Sequence, residues 1–220
     1  MKKITLTACS VAVILLSCND SAEKTEAPKT DSTATAAQTT ATAEAAPAAM
    51  PDSAAMMKAW QDFMTPGENH KWLEKTNGTW EAEVNQWMDP AAPPTKARAV
   101  NVQSSTMGGR YVISKFTSSM MGQPMEGTST TGYDNARKMF VSTWIDNLGT
   151  GIVHMSGTFD AATNTLHLKG HQTDPMTGKD SDIREEMKII DDNTYTMAMY
   201  GAGMDGKEMK FMEGTFKKKK

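Results

Sequence analysis

From Gly78 to the carboxyl terminus, apolar and polar residues alternate with a period of two; before Gly78 they recur at helical spacing or lack periodicity. Period-two alternation puts successive side chains on opposite faces of a strand. Strands are expected near residues 79–88, 97–106, 110–119, 126–133, 138–146, 150–159, 165–173, 180–190, 194–201 and 207–217. Turn formers separate them, among them Ala91-Ala92-Pro93-Pro94, Met107-Gly108-Gly109, Asp134-Asn135, Asn147-Leu148-Gly149, Asp191-Asp192-Asn193 and Asp205-Gly206. Ten short strands with hairpin-length connections predict an all-β antiparallel meander. An open sheet of that size exposes two edges, so closure into a barrel is the expected solution. In the first strand Trp80, Ala82 and Val84 share one face, and Glu81, Glu83 and Asn85 the other. In the strand at 138–146, apolar residues fall on both faces, which predicts cover on its outer side by an amino-terminal helix.

One or two short helices precede the strands. Ser53 is placed to cap a helix in which Met56, Met57, Trp60, Phe63 and Met64 line one face, ending at Thr65-Pro66-Gly67. Its polar face carries Lys58 and Asp62 without a basic cluster, so the apolar face is expected to pack on the domain rather than on a membrane. A second helix around Glu68–Lys75 brings Trp72 and Leu73 ahead of the turn at Asn77-Gly78.

The amino terminus is a different material. Met1-Lys2-Lys3 followed by an uncharged, mostly apolar run to Leu16 has the form of a secretory signal and is too short to span a bilayer. Leu15-Leu16-Ser17-Cys18 is similar to the lipobox of bacterial lipoproteins. That resemblance implies cleavage after residue 17, a diacylglycerol and an acyl chain on Cys18, and a membrane as the protein's first partner. More than one buried chain makes such an anchor effectively permanent. Residues 19–51 contain no aromatic residue and no Ile, Leu or Val. Such a stretch is expected to stay disordered as a tether of on the order of 30 Å. A single domain is expected over residues 52–220. Cys9 and Cys18 are the two cysteines, so a mature chain would carry no free thiol for disulfides, zinc or nucleophilic catalysis. Outer membrane, facing the periplasm, is the expected location.

Charge excludes one class of partner. The chain has 23 Lys plus Arg against 26 Asp plus Glu, a formal net charge of −3, which leaves no nucleic-acid footprint. Methionine is unusual at 19 residues. Met197 and Met199, Met209 and Met212, and Met120, Met121 and Met125 raise Cu(I), a soft ion suited to thioethers. The competing reading is that methionine fills an adaptable apolar interior. His167 and His171 share a strand face roughly 13 Å apart, too far to share one ion. No nucleophile motif or phosphate loop supports an enzyme.

Four segments carry a family likeness: Gly78-Thr79-Trp80-Glu81, Met107-Gly108-Gly109-Arg110-Tyr111, Gly132-Tyr133-Asp134-Asn135 and Trp144-Ile145-Asp146. In that order they resemble the bacterial domain of unknown function 1579, over roughly Gly67 to Lys220. Gly78-x-Trp80 also resembles the opening of lipocalins and related calycin barrels, which implies a lipocalin-like barrel with Trp80 at its closed end. Heme-binding nitrobindin barrels continue that motif with further glycines, whereas Glu81-Ala82-Glu83-Val84 follows here. Structural roles are expected for Gly78 (close approach), Gly108 and Gly109 (positive φ), and Asp134 and Asp146 (a turn, or an ion pair with Arg110). The alternative is a polar cluster at the barrel mouth in which Arg110, Tyr133, Trp144 and His154 orient a ligand. The combined expectation is a lipid-anchored envelope protein binding a small apolar ligand non-enzymatically. A protein-binding scaffold, and Cu(I) or heme handling, stand as alternatives.

Overall fold

The ten alternating segments form ten strands, and the strands close. The computed structural model describes residues 52–203 and 205–220. The signal segment 1–17, Cys18 and the tether to Pro51 lie outside them. Two helices, α1 (Ser53–Met64) and α2 (Glu68–Glu74), precede β1 (Gly78–Gln86), β2 (Thr95–Thr106), β3 (Tyr111–Met120), β4 (Gln123–Asp134) and β5 (Met139–Asp146). The chain continues through β6 (Val153–Asp160), β7 (Thr165–Thr173), β8 (Asp180–Asp191), β9 (Thr194–Ala202) and β10 (Glu208–Lys218). Each strand pairs antiparallel with its sequence neighbours, and β1 pairs with β10 to complete the barrel. Full closure leaves no sheet edge to aggregate.

Alternation decides inside from outside. Trp80 and Val84 on β1, Val112 and Phe116 on β3, Leu166 and Leu168 on β7, and Tyr195 on β9 are buried. Their neighbours Glu81, Glu83, Lys115, Lys169 and Thr196 point the other way. The outer wall is held by ion pairs. The Arg184 guanidinium forks onto Glu208 at 2.9 and 3.1 Å, donates to Glu186, and lies 3.7 Å over the Tyr200 ring. The Glu208 carboxyl is held below its ordinary range by that fork. An apolar inside with a charged outside is the reverse of a membrane-spanning barrel, so this wall is built for water.

One end is plugged. From α2, Trp72 and Leu73 insert beneath the barrel, with Trp72 against Phe140 (5.5 Å) and Phe159 (4.6 Å). Trp80 Nε1 donates to the Thr76 carbonyl at 2.8 Å, locking the turn between α2 and β1 onto the plug.

The amino-terminal helix departs from expectation. Asp52, not Ser53, caps α1, its Oδ1 accepting from the Ala55 amide at 2.7 Å. No α1 residue is buried, and Met57 and Trp60 are 71% and 57% exposed. The physical reason is that α2 already covers the plugged end, leaving α1 no apolar surface there. The outer face of β5 is likewise uncovered, with Ile145 half exposed. What holds α1 is polar: Arg110 Nη2 donates to the Met64 carbonyl at 2.6 Å, and Asn135 Nδ2 reaches the carbonyls of Asp62, Phe63 and Thr65 at 2.8–3.2 Å. Both side chains satisfy carbonyls left open at a helix carboxyl end. Arg110→Ala combined with Asn135→Ala should therefore fray α1 while sparing the barrel. Hydrogen exchange will show it as lost protection confined to the amides of α1.

Candidate functional site

Inward side chains divide the barrel interior into a filled half at the plugged end and an open half where they are only partly buried. In the filled half Tyr195 stacks on Phe216 at 4.7 Å and meets Trp80 edge-on at 4.8 Å, while Phe140 contacts Tyr133 at 5.0 Å. A polar cluster is embedded among these rings. Asn101 Nδ2 and Gln103 Nε2 donate to Tyr195 Oη at 3.0 and 3.4 Å, and Ser114 donates to Asn101. Burial pushes the Tyr195 hydroxyl well above its ordinary range; the amide bonds of Asn101 and Gln103 oppose that, and Glu185 adds to it. Tyr195→Phe should leave two buried amides without an acceptor and lower stability by about 1–3 kcal/mol, read from denaturant unfolding.

Toward the other end the walls stay but the filling thins. Trp144, Val153, Met197, Met199 and Phe211 face inward on their strands yet are only partly buried. Ten strands enclose a wider bore than the eight that side chains alone just fill. Trp144 does not cross the bore. Its ring lies over Gly127, where an added Cβ would meet it at 2.1 Å, and Nε1 donates to Asp146 Oδ2 at 2.7 Å. That bond pins the indole to the wall.

One charged group sits in this apolar wall. On β8, Glu185 falls between Ile183 and Met187, both buried, and therefore on the inward face. In register it lies beside Leu168 on β7 and Met199 on β9, with Met212 the next position on β10. Burial alone pushes its carboxyl up to about 7 from an ordinary 4.5. The residue keeps part of its surface accessible, which opens into the bore because the strand's outer face belongs to Arg184 and Glu186. The sequence pattern held a signal for it: Glu185 shares parity with Ile183, Met187 and Ile189.

The residues anticipated for a ligand cluster do not meet. Arg110 and Tyr133 stand at the plugged end, Tyr133 against the buried His70 (5.8 Å, edge-on). Trp144 is in the open half, because β4 and β5 run in opposite directions. His154 points outward, since Val153 and Met155 take the inward positions, and it faces His171 across the β6–β7 pair. His171 Nδ1 in turn lies 2.9 Å from Asp182. The ion-pair expectation is also corrected. Asp134 Oδ1 accepts from the amides of Ala136 and Arg137, and Asp146 Oδ1 from those of Leu148 and Gly149, so each carboxylate closes its own turn. Gly108 and Gly109 take φ of 67° and 80° in the β2–β3 turn, and Gly78 opens β1 under the Lys218 side chain.

The methionines split in the same way. Met121 is exposed at the β3–β4 hairpin tip, whereas Met125, Met155, Met187 and Met212 are buried inside. Among the described residues no three His, Cys, Asp or Glu side chains gather as a metal-binding group.

Three of the four segments that resemble a family thus meet at the plugged end. Gly78–Glu81 carries the tryptophan locked to α2, Met107–Tyr111 supplies Arg110, and Gly132–Asn135 supplies Asn135. One solved structure shares this fold. The solved structure of Rv2717c from M. tuberculosis superposes with a TM-score of 0.55 at 12% identity, covering 71% of this chain and all of that one. An S-type phycobiliprotein lyase, CPES, from Guillardia theta gives 0.48 at 8% identity, over 73% and 97%. The first likeness concerns the fold alone. No curated protein matches the chain in sequence. The family described as "Protein of unknown function (DUF1579)" matches residues 65–218, from the end of α1 through β10, and the chain belongs to that family.

Proposed function

We propose that this protein is a lipid-anchored envelope lipoprotein whose barrel holds a small, largely apolar ligand without transforming it chemically. One observation carries the binding half of this reading: Trp144, Val153, Met197 and Met199 take inward strand positions yet are only partly buried, beside a half packed with aromatic rings. Concave, mostly apolar sites with few polar groups are the usual form of small-molecule pockets. The lipid half rests on Leu15-Leu16-Ser17-Cys18 and the signal-like run before it. Exported attachment to the outer membrane, facing the periplasm, is part of the same proposal.

The test is native mass spectrometry of the full chain after incubation with a lipid extract of the envelope. A retained mass in the range of a small lipid supports the reading; a barrel that emerges empty sinks it. Cys18→Ala should move the protein from the membrane to the soluble envelope fraction in cells. A second reading, a scaffold that docks a protein partner, is favoured by the uncovered Met56, Met57, Trp60 and Phe63 of α1. Crosslinking in intact cells, with and without Trp60→Ser, separates it from the first.

A further inference from the structure

The geometry points to a more specific occupant: an amphiphile with an apolar body and a cationic amine that pairs with Glu185 inside the bore. This rests on the ligand-binding reading above and narrows its chemistry. Glu185 has no hydrogen-bond or ion-pair partner among the described residues. Its side chain is set in a wall of Leu168, Met199 and Met212, with nothing cationic beside it. The strand lysines and arginines fall on outward positions: Lys96 and Arg98 on β2, Lys115 on β3, Lys169 on β7, Arg184 and Lys188 on β8, Lys210 and Lys217 on β10. The exception is Lys218, which stands at the plugged rim with Nζ 5.1 Å from the Trp80 ring. The groups facing Glu185 from its neighbours are apolar, save for Tyr195 on β9, whose hydroxyl already takes two amide bonds. Asp146, nearer the mouth, is a second acid, and it is occupied by Trp144 and its own turn.

A carboxylate in such a place has no counter-charge from the protein, and a charge held partly out of water is costly until one arrives. An ammonium on an apolar ligand supplies the charge and the donors together. A fatty-acid anion or a phosphate brings a second negative charge to the first and is repelled. The bore therefore selects among apolar ligands by the sign of the headgroup.

Three probes of one chain length test this: dodecylamine, dodecanol and dodecanoate, each below its micelle concentration, titrated calorimetrically into the full chain at pH 8. The expected result is an amine affinity at least roughly tenfold above that of the carboxylate, the factor equivalent to one pKa unit of coupling. Glu185→Gln, close in shape, should abolish that preference without weakening dodecanol binding; Glu185→Leu serves if the glutamine variant does not fold. Equal affinity for amine and carboxylate overturns the inference and leaves the apolar-ligand reading standing. A preference that survives both substitutions also overturns it. If none of the three probes binds, the reading falls and takes the inference with it.

Discussion

Replacing Gly157 with alanine should destabilise the barrel by about 3 kcal/mol, the upper part of the range for forcing extra atoms into a packed site. For a domain of this size that is a fall of roughly 6–12 °C in Tm, readable by calorimetry. A Cβ at Gly157 would sit 1.8 Å from the His167 carbonyl oxygen, and one at Gly170 would sit 1.9 Å from that of His154. Both obstacles are backbone atoms of the neighbouring strand, which cannot swing aside as a side chain does. The two glycines lie two rungs apart on the same ladder, where Gly157 pairs with Leu168 and Met155 with Gly170. Glycine in a strand interior commonly marks a tight bend or close backbone approach, and two of them here let β6 and β7 coil tightly on the way to closure. Gly170→Ala should cost a similar amount. Gly151→Ala is the control, since its nearest contact is Thr173 Oγ1 at an ordinary 3.8 Å. If Gly157→Ala melts within about 2 °C of the parent, the close approach does not constrain closure.

The contrast between what the sequence made legible and what it did not follows from the range of the interactions. Strand positions are local. Alternation such as Trp80-Glu81-Ala82-Glu83-Val84 is written within five residues, and the antiparallel meander then leaves closure as the way to hide both edges. Side-chain partners across the sheet are not local. His154 meets His171 only because β6 and β7 pair in one particular register; a slip of one residue would turn each histidine inward. The grouping of Arg110, Tyr133, Trp144 and His154 ignored strand direction, which sends the ends of β4 and β5 to opposite rims. For α1, the helical spacing correctly gave a helix with an apolar face. What that face meets depends on whether the plugged end still has surface to offer, and Trp72 and Leu73 of α2 had already taken it. The family-like segments show a related limit. Their order was readable, yet the role of Arg110 and Asn135 as clasps on the carboxyl end of α1 emerges only when residues about 46 and 70 positions apart are placed side by side.

Raising the pH from 5 to 8 should weaken the native barrel through Glu185, and Glu185→Gln should remove that loss. Burial pushes the native carboxyl up to about 7, while in the unfolded chain it titrates near 4.5. Between those values the native state holds a proton that the unfolded state has released. The unfolded state then binds fewer protons, so stability falls as pH rises. Below the lower value both forms are protonated and no penalty exists; above the upper value both are ionised and the penalty is complete, on the order of 3 kcal/mol. The carboxyls lowered by their partners, Asp160 through Thr163, Asp174 through Thr177, Glu208 through Arg184 and Glu68 through Lys71, act in the opposite sense but in the acid range below their ordinary values. His70 also opposes it: burial lowers its pKa, so its contribution is lost as pH falls below the ordinary histidine range. Wild type and Glu185→Gln share these groups, and subtracting their unfolding free energies cancels them. The difference should be constant below about pH 5 and should grow in favour of the variant up to about pH 8, where it levels off. Urea unfolding at half-unit pH steps measures it directly. A difference curve that stays flat throughout would mean that water in the bore solvates the carboxylate fully, and that Glu185 carries no uncompensated charge for a cationic ligand to meet.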